Sequence, residues 1–193
     1  MQIERLGLAG PLLLTPQVFG DARGYFLESW NQKRFAEALE LPLNAVPTFV
    51  QDNQSRSSLG VLRGLHYQLP PHAQGKLVRC VLGEIFDVAV DIRRQSPTFG
   101  QWIGARLSSE NHSQLWLPAG FAHGFLVLSE TAEVLYKTTD FWDRASERSI
   151  RWDDPALAIA WPISPDGAAP GVSDKDRLAP TLAEAAQAGD VFP

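Results

Sequence analysis

An all-β sandwich or barrel is the fold class this sequence predicts, and three observations predict it. Short runs with strand character recur along the chain, split by Gly, Pro, Asn and Asp. Residues 84–92 alternate with period two: Phe86, Val88, Val90 and Ile92 form one wholly apolar face, and Ile85, Asp87, Ala89 and Asp91 form the other. Only residues 31–41 read as a convincing helix. Many closely spaced strands with one helix point away from a parallel βαβ sheet and towards a sandwich or barrel.

The elements follow in order. Residues 12–19 form the first clear strand, residues 20–24 a turn, and residues 25–30 a second strand. Asn31 caps the helix, which runs to about Leu41 with Phe35, Ala38 and Leu39 on one face. Pro42 and Pro47 bracket a loop. Further strands are expected over residues 49–55, 61–68, 76–82 and 84–92. After a Ser-Pro-Thr-Phe-Gly turn at 96–100 come strands at 101–107, 114–118, 124–128 and 133–139. From Asp153 the character changes: Pro155, Pro162, Pro165, Pro170 and Pro180 are spread among Ala, Asp and Gly. This predicts an irregular tail with short helical turns, such as residues 181–188. With no internal repeat and no linker, the 193 residues read as one domain, 1–193.

Composition narrows the function. Hydrophobic residues make up 45% and charged residues 20%, as in an ordinary globular protein, and the formal net charge of -5 argues against a general nucleic-acid binder. A nucleotide ligand needs only local cations and stays open. No basic segment followed by a long apolar run opens the chain, and no stretch reaches the roughly 18 apolar residues of a membrane span. Neither a signal peptide nor a membrane partner is therefore expected. The single cysteine, Cys80, rules out an internal disulfide, fits a reducing cytoplasm, and reads as a small buried hydrophobe.

The stretch Val61-Leu62-Arg63-Gly64-Leu65-His66-Tyr67-Gln68, with Gly75-Lys76 after it, places an arginine, a histidine and a lysine in an apolar, strand-like run. Buried charge is costly unless paired, so these side chains are satisfied by neighbours or face a cavity where a substrate satisfies them. The pattern suits an anionic substrate held by cations beside a base. Arg63 and His66, three apart, would face opposite sides of a regular strand. Both reach one ligand only if Gly64 admits a bulge or the strand ends there.

Other chemistries lack their signatures. There is no Gly-rich phosphate loop and no Gly-x-Ser-x-Gly elbow. The histidines, His66, His72, His112 and His123, include no pair two residues apart, so the paired-histidine ligand set of a metal-binding β-barrel is missing. What remains is acid–base chemistry with no metal and no cofactor. His66 is a natural base near neutral pH. Tyr136 is a proton donor or an ordinary strand aromatic. Lys76 is an oxyanion stabiliser or a solvated strand end. His123 is a satisfied core histidine or a substrate contact, and Arg23, in a Gly-flanked turn, a phosphate ligand or a solvated arginine. Asp176, in Ser173-Asp174-Lys175-Asp176, reads as part of a solvated charge run.

Several motifs together resemble one family. They are Arg63-Gly64-Leu65-His66-Tyr67-Gln68, Gly75-Lys76-Leu77-Val78-Arg79, residues 86–93, Ser96-Pro97-Thr98-Phe99-Gly100, residues 118–125 and Tyr136-Lys137-Thr138-Thr139. Upstream, residues 19–28 and 49–55 match as well. Over about residues 10 to 180 the chain resembles dTDP-4-dehydrorhamnose 3,5-epimerase. The resemblance implies a cupin-like β-barrel (jelly roll), a metal-free and cofactor-free homodimer in the cytoplasm, and a dTDP-4-keto-6-deoxy sugar substrate whose C3 and C5 are inverted. It implies that His66 is the base, Tyr136 the acid on the opposite face of the sugar, Asp176 the carboxylate behind the histidine, and Lys76 the residue at the keto oxygen. Asp174 is the alternative carboxylate, because residues 164–171 are longer and richer in Pro and Ala than the motif after them normally has. Arg63 matches the diphosphate contact. Arg23 and Glu28 match nucleotide contacts, with Phe19 and Phe26 near the base. Gln51, Asn53, His123, Glu147 and Lys175 match further substrate contacts. The rival readings are a mono-epimerase acting on C3 or C5 alone, which would share nearly every motif, and a non-catalytic sugar-nucleotide-binding cupin.

Overall fold

The computed structural model describes residues 1–163 and 168–193. Residues 164–167, within the Pro- and Ala-rich stretch and including Pro165 of the tail, lie outside the described residues. In chain order the elements are β1 (Gln2–Arg5), β2 (Leu12–Thr15), β3 (Val18–Asp21), β4 (Gly24–Leu27), α1 (Gln32–Leu39), β5 (Gln51–Ser58), β6 (Leu62–Gln68), β7 (Lys76–Leu82), β8 (Glu84–Asp91), β9 (Trp102–Ser108), β10 (Gln114–Leu117), β11 (Phe121–Val127), β12 (Thr131–Thr138), β13 (Glu147–Ser149), α2 (Asp174–Arg177) and α3 (Leu182–Ala188). A six-stranded sheet, β1-β2-β10-β7-β12-β5, faces a five-stranded sheet, β13-β6-β11-β8-β9, and β3 pairs only with β4. The all-β, cupin-like class expected from the sequence is the one observed.

The strands of the two main sheets follow the expected order, with differences that have local causes. The expected strand at 12–19 is two strands, because Pro16 has no N–H for a ladder and ends β2. β1 was not expected: all four of its residues are exposed, so it has no apolar alternation to reveal it. β11 begins at Phe121, three residues before the expected start. β13, which precedes the tail, was not expected, while α2 and α3 are short helical turns of the kind expected within the tail.

Asn31 caps α1 as expected, its side-chain oxygen accepting from the N–H groups of Lys33 and Arg34 at 3.0 and 3.2 Å. The helix stops at Leu39 because Glu40 turns left-handed at φ 56°. Its buried residues are Phe35, Ala36 and Ala38, with Leu39 only partly covered. They seal the outer face of the six-stranded sheet over Leu12, Leu14, Leu77 and Trp116.

The two faces of β8 divide the core. Ile85 and Ala89 point inward with Val78, Leu115, Phe125 and Val134. The wholly apolar face, including Val88, Val90 and Ile92, points outward, where Ile150, Leu157, Leu182, Ala185 and Val191 of the C-terminal region cover it. This covering explains why an outer barrel face carries no polar residues. It also brings α2 back across β6, and β6 carries the site.

Candidate active site

Gly64 shapes β6. Its φ is +129°, and a Cβ added there would come within 2.5 Å of the Gly124 Cα on β11. The two backbones therefore approach in a way only glycine allows. The β6–β11 register slips at the same place: His66 lies opposite His123, while Arg63 lies opposite Phe125. This is the irregularity that two residues three apart need in order to face one space. Arg63, His66 and His123 do line one cavity of about 370 Å³, together with Gln51, Asn53, Lys76, Tyr136 and Glu147.

His66 is held from behind. Its Nε2 is 2.6 Å from Asp176 Oδ1, and the other oxygen of Asp176 accepts the Gly64 N–H at 3.3 Å. Ser173 caps α2, and the turn buries Asp176 against β6. Asp174, by contrast, is exposed on the far side of the turn, bridged to Arg177 at 3.3 Å. Burial pushes the Asp176 carboxyl up. The hydrogen bond and charge of His66, with the Gly64 N–H and Ser173, outweigh it and hold the group below the usual carboxylate range. An ionised Asp176 accepts the Nε2–H of His66, which leaves Nδ1 as the basic nitrogen.

Lys76 opens β7 in the opposite sheet. Gly75 packs its bare backbone against the Trp116 ring, where a Cβ would sit 2.6 Å from it, and pairs with Thr139 on both sides. Lys76 is buried, and its Nζ donates to the His66 carbonyl at 3.3 Å. Burial lowers its ammonium to about 8, against the opposing pull of Asp87 and Glu147. Tyr136 lies on β12 between Asn53 and Val78, in the sheet facing His66. Burial raises its phenol above the usual range, so it keeps its proton at neutral pH.

The remaining expected residues fall into two groups. Arg63 donates through Nε to Ser57 Oγ at 2.9 Å, Gln51 donates to Asn53 at 2.9 Å, and Glu147 is bridged to Lys175 at 2.7 Å beside the cavity. Phe19, Arg23, Phe26, Glu28 and Lys175 are not among the cavity's lining residues. The first three are exposed on the β3–β4 hairpin, and Arg23 is paired with Asp21. Glu28 is bonded to Asn31 and Arg34. Sequence reasoning missed Ser55, Gln68, Gln74, Phe125 and Trp142, which also line the cavity. Ser55 could have been found, since it continues the period-two polar row of Gln51 and Asn53. Trp142 follows the last long strand and carried no signal. Among the described residues, no group of three His, Cys, Asp or Glu side chains is placed to hold a metal ion.

The profile of the dTDP-4-dehydrorhamnose 3,5-epimerase family matches residues 5–184. The chain belongs to that family. The Pseudomonas aeruginosa dTDP-4-dehydrorhamnose 3,5-epimerase is 58% identical over the whole of both chains. Among solved structures, the Legionella pneumophila 3,5-epimerase in complex with dTDP-4-keto-L-rhamnose superimposes with a TM-score of 0.87 at 49% identity, covering 94% of this chain and 93% of that one. A dTDP-4-dehydrorhamnose 3-epimerase from Streptomyces niveus is 40% identical over 98% of this chain and 87% of its own. The family membership and the cavity thus rest on independent observations.

Proposed function

We infer that this member of the 3,5-epimerase family inverts C3 and C5 of dTDP-4-dehydro-6-deoxy-D-glucose, giving dTDP-4-dehydro-L-rhamnose. The observation that carries the reading is the His66–Asp176 dyad facing Tyr136 across one cavity, with the Lys76 ammonium beside it. Both protons are α to the C4 ketone, and loss of either gives an enolate with its charge on the C4 oxygen. His66 takes the proton at Nδ1 while Asp176 holds the Nε2–H and supports the imidazolium. Lys76 meets the enolate oxygen. Tyr136, on the other wall, returns a proton to the opposite face of the carbon. General acid–base help contributes roughly 10²–10⁴-fold, and a preorganised cation at the oxyanion about 10²–10³-fold. The chemistry calls for no redox group. Arg63 holds the diphosphate, with Gln51, Asn53, His123, Glu147 and Lys175 around the sugar nucleotide.

The whole chain works as one domain, and we place it in the cytoplasm on the strength of its unpaired, buried Cys80. Among the described residues no helix is long and apolar enough to cross a membrane. The working unit is a homodimer in which the exposed hairpin crosses to the partner's cavity, bringing Phe19, Arg23, Phe26 and Glu28 to the nucleotide. Incubation with dTDP-4-keto-6-deoxyglucose in heavy water tests the activity by NMR. Two solvent deuterons, one at C3 and one at C5, are expected. A single deuteron means a mono-epimerase, and none, with binding retained, means a non-catalytic binder.

A further inference from the structure

Beside the dyad that takes the proton lies a second histidine–carboxylate pair, His123 and Asp87, whose carboxylate has no part in the reaction above. Asp87 stands on the inward face of β8 between Ile85 and Ala89, and none of it reaches solvent. An ionised carboxylate in such a place loses its hydration and persists only if partners replace the water. His123 Nε2 lies 2.5 Å from Asp87 Oδ1, while Oδ2 of the same carboxylate is buried with no hydrogen-bond partner among the described residues. His123 sits directly across the ladder from His66 and lines the same cavity. Among the described residues no partner is found for its Nδ1.

Lys76 lies within the electrostatic reach of this pair. The groups facing Lys76 are Asp87 on β8, Glu147 on β13 and Lys175 on α2, with the His66 carbonyl on β6 accepting its N–H. Glu147 is already bridged to Lys175, and Asp176 to His66. The charged or titratable groups facing Asp87 are His123 on β11 and, on β7, Lys76 and the Cys80 thiol. Its register partner on β9 is Ala105. Of the two carboxylates facing Lys76, Asp87 is the one that no lysine or arginine bridges among the described residues. The bond to the Asp87 carboxylate puts a proton on the His123 Nε2.

We propose that Asp87 is a positioning residue of the reaction: it fixes His123 in the Nε2–H tautomer, so that Nδ1 accepts a sugar hydroxyl, and it is the counter-charge that keeps the Lys76 ammonium at the developing oxyanion. The inference rests on the reading that places Lys76 at the enolate oxygen. Burial brings Lys76 down to about 8, and Asp87 is the largest influence holding it up. The ammonium, and with it the rate, is lost as the pH rises through that value.

The first test uses the wild-type protein labelled with ¹⁵N at histidine. At pH 7 the His123 resonances should show a protonated Nε2 and a bare Nδ1. A protonated Nδ1 overturns the proposal whatever the variants do. The second test is the pH profile of kcat at saturating substrate. Wild type should lose rate with a midpoint near pH 8. Asp87→Asn should move that midpoint about 1–2 pH units lower, while Asp87→Glu, which keeps the charge, should restore it. A purely structural role predicts equal rate loss at every pH, with both variants less stable and the midpoint unmoved, and that result overturns the proposal. Should Asp87→Asn fail to fold, Asp87→Glu and the wild-type tautomer decide the matter. Deuterium exchange in His66→Ala keeps the two readings apart. Exchange abolished there with an unmoved midpoint in Asp87→Asn removes the role of Asp87 and leaves the site standing. Exchange retained in His66→Ala removes the site assignment itself.

Discussion

The wall built by β6 and the hairpin built by β3 and β4 carry comparable numbers of the residues that the family resemblance ties to substrate, yet the structure treats them in opposite ways. On β6, the His66 side chain is 31% exposed and its Asp176 partner 4%, and the strand is locked to β11 and β13. On the hairpin, Phe19 and Phe26 lie side by side across the ladder at 56% and 69% exposure, and the Arg23 side chain is 89% exposed. A two-stranded ribbon with an exposed aromatic pair is marginal alone and marks a surface that another molecule covers. The difference teaches a division of labour. Proton transfer suits a low-dielectric, fixed setting, and the cavity lined by His66, Lys76 and Tyr136 is built within one chain. The hairpin's aromatic pair and Arg23 meet solvent and stand outside the cavity that holds His66.

Five substitutions sharpen or break that division. His66→Ala should have the largest effect, a loss of about 10²–10⁴-fold or more in turnover together with loss of solvent deuterium wash-in, because no enolate forms. Substantial exchange in this variant would place the base elsewhere. Asp176→Asn should cost on the order of 10²-fold by releasing the His66 tautomer, and it carries a pH signature. The Asp176 carboxyl titrates below its ordinary 3.8 when folded. Its stabilisation is therefore present above that value and is lost as the pH falls through the lower folded one. Thermal melts from pH 3 to 7 should be less pH-dependent at the acid end in Asp176→Asn than in wild type.

Arg63→Ala follows. Its partner in the proposed complex, the diphosphate, does not react, so KM should rise roughly ten- to hundredfold, the worth of a charge-assisted hydrogen bond, with kcat nearly kept. A large loss of kcat at unchanged KM would reject the role. The smallest effect belongs to the hairpin. Arg23→Ala and Phe26→Ser should raise KM severalfold and leave the deuterium exchange of bound substrate untouched. Light scattering at micromolar concentration should report a dimer for the wild type. A fully active monomer would contradict the assignment of the hairpin to a partner.

What was legible in the sequence follows the same division. Strands with one buried face announced themselves by alternation, and Asn31 announced α1 through its capping chemistry. The polarity of β8 shows the limit. Its period was plain, but alternation alone does not say which face turns inward. The apolar face lies outside, under a C-terminal region that composition makes look featureless, and Asp87 lies inside. Asp176 was illegible to local physics for a related reason. Asp-Lys-Asp reads as a solvated run, and only the tertiary return of α2 across β6 buries one carboxylate and exposes the other. The Gly64 irregularity was foreseeable as a condition, since Arg63 and His66 could share a ligand only through it. Its cause, the close approach of Gly124, lies sixty residues away in sequence.

The account stands most directly on the two walls acting as base and acid, and one measurement tests it. Tyr136→Phe, incubated with dTDP-4-keto-6-deoxyglucose in heavy water and followed by NMR, keeps His66, Asp176 and Lys76. It should still wash deuterium into C3 or C5, with the base handing a solvent deuteron back to the face it came from, while inversion falls by roughly 10²-fold or more. Inversion of both centres at the wild-type rate would contradict the account and leave His123 or a bound water as the acid.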